Sequence, residues 1–155
     1  RTYLYQITRR RTALAKKRVW WVRRPLDLKL MAQAAAGLAG KHDFKLMCER
    51  PQEQESTLVV VESVQVVGEG PLILIRLTAS HFLWKMVRRV VGCLVRVGGG
   101  EMSPEDFAGL IEGKRLAGEP DGVARWTAPA SGLFLERVLY PGDPPLGPLR
   151  AVDRV

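Results

Sequence analysis

The segment from 79 to 92, ASHFLWKMVRRVVG, sets the large apolar residues Phe82, Leu83, Trp84 and Met86 among the cations Lys85, Arg88 and Arg89. On a helix, Lys85 and Arg88 fall one turn apart, within a stripe that runs His81, Lys85, Arg88, Gly92, Arg96. Phe82, Leu83, Met86, Val87, Val90, Leu94 and Val97 then form a broad apolar face. A guanidinium held partly buried beside such a face requires a carboxylate or phosphate partner. Gly92 is the odd member, because a mid-helix glycine costs about 1 kcal/mol relative to alanine. Close approach of another backbone or of a ligand would be a reason to keep it. The plainer alternative is that Lys85 and Arg88 are solvated charges and Trp84 covers a loop. Helix geometry alone leaves both open.

The elements that must position these residues follow from pattern. TYLYQIT, residues 2 to 8, alternates and is rich in β-formers, so it reads as a strand; RVWWVRR reads as a second extended piece. Pro25 and Asp27 open a helix with Leu30, Met31, Ala34, Ala35 and Leu38 on one face, and Gly40 is expected to end it, which makes KHDF a turn capped by Asp43. TLVVVESVQVV and PLILIRLTA read as strands joined by a hairpin at GEGP. A helix from about Phe82 to Val97 follows, so its first turn lies at the sheet edge. SPEDFAGLIEG is a short helix with Ser103 as N-cap and Pro104 at its first position, and SGLFLERVLYP reads as a last strand. Helices and strands interleaved with a long hairpin predict an α+β domain, a mainly antiparallel sheet with helices on one face.

Of 155 residues, 24 are Lys or Arg and 16 Asp or Glu, for a formal net charge of +8. The excess is concentrated: Arg9, Arg10, Arg11, Lys16, Lys17 and Arg18 precede the first acid, Asp27. Such a run favours a polyanionic partner, above all nucleic acid, over a merely solvated basic loop. Cys48 and Cys93 are the only cysteines and His42 and His81 the only histidines, too few at suitable spacing for a zinc site, so no metal is expected. No apolar run is long enough to span a bilayer, and a cytoplasmic protein with reduced thiols is the expectation. The opening RTYLYQI enters strand-like sequence directly, without a Met, and reads as the middle of a protein.

Five motifs in order carry a resemblance: RTYLYQI, GKHDF, ASHFLWKMVRRVVG, TAPASGLFLERVLYP and PPLGPL. Together they resemble the C-terminal part of the tRNA pseudouridine synthase A family across nearly the whole sequence. The resemblance implies a two-layer α/β-plait-like subdomain of the pseudouridine synthase fold over residues 1–142, followed by a Pro-rich tail over 143–155. It departs from the family in two respects. Nothing here matches the family's loop with the nucleophilic aspartate, and ERPQEQESTLVVVESV is more acidic than the family pattern and lacks an arginine there.

Residue by residue, the resemblance implies that Tyr3 stacks on the target base and is the candidate for removing its C5 proton. It makes Arg88 the partner of the catalytic aspartate, Leu133 a contact of the flipped uracil and Phe82 a pocket wall. Lys85, Arg89 and the run Arg9, Arg10, Arg11, Lys16, Lys17, Arg18 would hold phosphates. Without it, Tyr3 reads as an ordinary strand aromatic, and Leu133 reads equally as an ordinary core strand residue. The implied reaction is isomerisation of uridine to pseudouridine in the anticodon stem-loop of tRNA, without cofactor or metal. The implied partners are tRNA, an N-terminal half carrying the aspartate (in the same or a separate chain) and a second copy in a homodimer, with no membrane. This chain alone is expected to be inactive. The rival readings are a non-catalytic RNA-binding module and a structural basic domain.

Overall fold

The computed structural model describes residues 1–13, 17–118, 122–138 and 140–152. Six strands form one sheet: β1 (Thr2–Thr8), β2 (Trp20–Trp21), β3 (Gly40–Asp43), β4 (Leu58–Glu69), β5 (Leu72–Ala79) and β6 (Leu133–Arg137). Three helices accompany them: α1 (Leu28–Ala36), α2 (Met86–Gly98) and α3 (Pro104–Ile111). The strand order is β2-β1-β5-β4-β3, with β6 also paired to β1. Among the described residues only the short β1–β2 pairing is parallel. This is the expected α+β architecture.

Local chemistry accounts for much of it. Asp27 caps α1, its Oδ1 accepting from the N–H groups of Lys29 and Leu30, and Ser103 caps α3 by accepting from Asp106 N. The β4–β5 hairpin turns at Gly70, which supplies the positive φ of 57°. β5 is the central strand and is buried at every position. Its odd residues Ile73, Ile75 and Leu77 join Tyr5 and Ile7 of β1 in the main core, against Met31, Leu38, Val90, Val91, Leu94 and Phe107 from the helices. Its even residues Leu72 and Leu74 join Leu4 and Val19 on the opposite face.

That second face is not bare. Leu149 and Ala151 pack on it, Val152 N donates to Gln6 Oε1 (2.7 Å) and Ala151 N to Glu69 Oε2 (3.1 Å). Arg76 is 4% exposed and pairs with Glu136 through two hydrogen bonds while donating to the carbonyl of Gly147. The stretch 147–152, read from sequence as tail, thus covers a sheet face.

Three local expectations are corrected. The helix that follows β5 starts at Met86, because Lys85 adopts a left-handed φ of 61° and turns the chain into it. Leu83 is thereby buried and Phe82 set against β1. α1 ends at Gly37, three residues before the glycine expected to stop it. Gly40–Asp43 is a strand and not a turn, since pairing with β4 satisfies its backbone. Asp43 does cap locally, accepting from Lys45 N and Thr57 Oγ1.

Candidate active-site cleft

β1 and β5 run antiparallel with Thr2 opposite Thr78, so the start of β1 lies beside the end of β5, where the chain enters α2. Here a cleft of about 390 Å³ opens, lined by Arg1, Tyr3, Phe82 to Arg88, Ala130 and Leu133. Tyr3 and Phe82 meet edge to face, with ring centroids 4.9 Å apart. Leu133 pairs with Tyr5 at the start of β6, which brings its side chain to the same wall. Tyr3, Phe82, Lys85, Arg88 and Leu133 are therefore assembled in one place from three separate segments.

Arg88 is fixed from behind. Its Nε donates to Ala128 O at 2.7 Å, while its own carbonyl accepts from Ala128 N at 2.9 Å. The two terminal guanidinium nitrogens have no hydrogen-bond partner among the described residues. A planar cation pinned by one edge, with its fork open to an apolar cleft, is prepared to receive a carboxylate. The loop that pins it is held elsewhere as well. Tyr5 Oη donates to Pro129 O at 2.5 Å, and burial pushes the Tyr5 pKa up, opposed in part by the Arg88 charge. A Cβ on Gly92 would run into the Trp126 carbonyl, and one on Gly132 would come within 2.7 Å of Gln6 O and the Tyr5 ring. The close backbone approach that Gly92 suggested is this loop.

Lys85 lies at the mouth of the cleft and bridges Glu49 Oε2 at 2.9 Å. Its hydrogen bond holds the Glu49 carboxyl below the usual carboxylate range. Trp84 is 48% exposed, with the Arg50 guanidinium 5.2 Å and the Lys85 ammonium 5.7 Å from its ring. Arg50 and Lys85 are the two non-glycine residues of positive φ among those described. Sequence reasoning missed Arg50, Glu49 and the Trp84 stack, and only the exposed position of a tryptophan among cations pointed that way.

Other expected contacts lie apart from the cleft. Arg89 is 8% exposed, donates from Nη1 to Cys48 O at 2.9 Å, and is not among the cleft-lining residues. It lines a separate cavity with Lys45, Cys48 and Arg115. Arg9, Arg10 and Arg11 are exposed at the far end of β1, with Arg9 about 20 Å from Tyr3 at about 3.3 Å per residue, and Lys17 and Arg18 are exposed where the chain returns beside β1, the Arg18 carbonyl accepting from Gln6 Nε2. Arg9 there donates to Gly70 O of the hairpin. Lys16 lies outside the described residues.

Among the described residues no group of three His, Cys, Asp or Glu side chains is placed to hold a metal ion. Burial raises the pKa of both thiols, that of Cys93 to about 12. No helix among the described residues is long and apolar enough to cross a membrane.

A helix-backed α+β sheet thus sets aromatic rings and an open guanidinium side by side at one strand end. The chain belongs to the tRNA pseudouridine synthase family, whose model matches residues 34–141. It is 38% identical over 143 residues to tRNA pseudouridine synthase A of Rhizobium meliloti strain 1021, covering 90% of this chain and 56% of that protein. The corresponding protein of Paramagnetospirillum magneticum is 39% identical over 143 residues, 90% of this chain and 54% of its own length. That of Alcanivorax borkumensis is 35% identical over 164 residues, 100% of this chain and 59% of its own. The chain spans about half the length of the curated relatives it matches.

Proposed function

We propose that this chain supplies one wall of a tRNA pseudouridine synthase active site, whose nucleophilic aspartate comes from an N-terminal half outside residues 1–155. The observation that carries this reading is Arg88, pinned through Nε and carbonyl to Ala128 with its fork open to the cleft. An aspartate entering the cleft forms a two-point pair with that fork, which keeps it ionised against the apolar wall of Phe82 and Leu133.

The target uridine of the anticodon stem-loop leaves its stack, at a cost of a few kcal/mol that backbone contacts and ring stacking offset. The C1′–N1 bond breaks, uracil takes the electron pair, and the ribose carbon is held by the aspartate. Uracil turns between Tyr3 and Leu133, C5 bonds to C1′ as the aspartate–C1′ bond breaks and the carboxylate leaves with its electron pair, and N1 gains a proton. Tyr3 removes the C5 proton. Atoms balance as an isomerisation, without cofactor or metal. The ring-lined cleft keeps the free base from escaping and water out. The domain is residues 1–142, the assembly a homodimer and the compartment the cytoplasm.

Arg88→Ala tests this reading when the aspartate-bearing half is supplied. Turnover should fall at least about 100-fold, the loss typical of one preorganised electrostatic contact, with tRNA affinity nearly unchanged. A non-catalytic RNA-binding module would instead lose affinity and salt dependence together, with no turnover to lose.

A further inference from the structure

Where α2 meets α3 lies a second cavity, of about 190 Å³, which shares no lining residue with the cleft. Its apolar walls are Leu46 from the single turn Lys45–Met47, Leu110 from α3, Leu116 just beyond it, and Val123 from the turn Gly122–Trp126. Three cations border it, Lys45, Arg89 and Arg115, and none of its described lining residues is acidic.

The three cations differ in depth. Lys45 and Arg115 are exposed, and the side chain of neither has a hydrogen-bond or ion-pair partner among the described residues. Arg89 is 8% exposed. Among the described residues its guanidinium has one hydrogen-bond partner, the neutral carbonyl of Cys48 at 2.9 Å from Nη1, while Nε is buried with none. Glu49 feels the Arg89 charge, but its carboxylate is held by Lys85 at 2.9 Å and does not line the cavity. A buried guanidinium bonded to a neutral carbonyl carries a desolvation cost that an anion beside it offsets.

Size and lining narrow the anion. An apolar cavity of about 150 Å³ holds a benzene ring. This one therefore has room for a single ring, or a branched chain of that bulk, with a compact charged head. The head belongs at the inner end beside Arg89, the body against Leu46, Leu110 and Val123, and the two exposed cations stand at the mouth.

We propose that this cavity is a binding site for a small organic acid, a carboxylate on an apolar body about one ring in size. The inference does not depend on the tRNA reading, because it uses no residue of the cleft.

The test is calorimetric titration of the full chain with benzoate at constant ionic strength, beside acetate, benzyl alcohol and inorganic phosphate. Benzoate should bind at one site per chain and at least about tenfold more tightly than the other three, since it alone brings both head and body. Lys45→Gln with Arg115→Gln should weaken benzoate binding about tenfold, roughly threefold for each exposed charge lost. Lys29→Gln with Lys41→Gln removes two exposed charges outside the cavity and should change it less than about twofold. Arg89→Met, which keeps the volume, should abolish the preference for benzoate over benzyl alcohol; should it fail to fold, the exposed pair carries the test. Acetate or inorganic phosphate binding as tightly as benzoate would overturn the proposal in favour of a bare anion site. Equal losses in the two lysine and arginine pairs would overturn it in favour of general attraction to a basic chain. No binding up to about 10 mM benzoate, the weakest affinity expected for a ligand of this size, would overturn it outright. None of these results bears on the reading of tRNA as substrate.

Discussion

Arg88 and Tyr5 together explain why the cleft has a fixed shape. The guanidinium and the phenol each hold one carbonyl of a single loop, at Ala128 and Pro129. Tyr5→Phe should leave the Pro129 carbonyl without that donor and cost about 1 kcal/mol in urea unfolding. Tyr5 also sets an alkaline limit. Its folded pKa lies above its ordinary value of 10.0, so the neutral phenol is favoured by folding. That contribution is complete below the unfolded value and is lost as pH rises above it. Unfolding midpoints of wild type should therefore fall as pH rises above about 10, and Tyr5→Phe should fall less over the same range. Parallel curves would mean that the phenol contributes nothing. Sequence made Arg88 legible as a cation needing an anion, since Lys85 and Arg88 share a helical side. It did not show that Arg89 would turn away from the cleft. One side faces the cleft and the other faces Cys48 O, a difference set by how α2 rolls on the sheet.

α2 and the loop across it behave as one unit, and Gly92 is where they touch. Gly92→Ala should destabilise by about 1–3 kcal/mol through overpacking against Trp126, although alanine favours the helix by about 1 kcal/mol. Gly109 in α3 has ordinary space for a methyl, nearest to Lys114 Cβ at 3.7 Å, so Gly109→Ala should stabilise by up to about 1 kcal/mol. Denaturant midpoints of the two variants should move in opposite directions. A shared direction would put the fault in the packing of the loop. The elements legible in sequence were those with local signals. β1 matched its seven-residue pattern, and Asp27 and Ser103 cap where capping residues stand. What escaped was set by distant partners. β3 exists because β4 pairs with it, and the left-handed turn at Lys85 lets Phe82 meet Tyr3. Neither leaves a periodic trace in its own segment.

Across the whole molecule the sheet separates two tasks. One face carries the helices and the core, and the strand ends beside it form the cleft. The other face is closed by 147–152, gathered around the Arg76–Glu136 pair. Removing Glu136 would leave Arg76 charged, buried and short of its partner, and Glu136→Ala should cost about 3 kcal/mol. Arg76→Met, which fills the same volume without charge, should cost less, and thermal unfolding of both variants checks the order. The same molecular scale holds the central claim, that the cleft is one wall of an active site. The direct measurement is pseudouridine mapping on unmodified tRNA, with this chain alone, with the aspartate-bearing half of a relative alone, and with the two mixed. Pseudouridine in the anticodon stem-loop should form in the mixture only. Modification by this chain alone would place the nucleophile within these 155 residues. Tight, salt-sensitive binding with no modification in the mixture would make the chain an RNA-binding module, and either result would contradict the account.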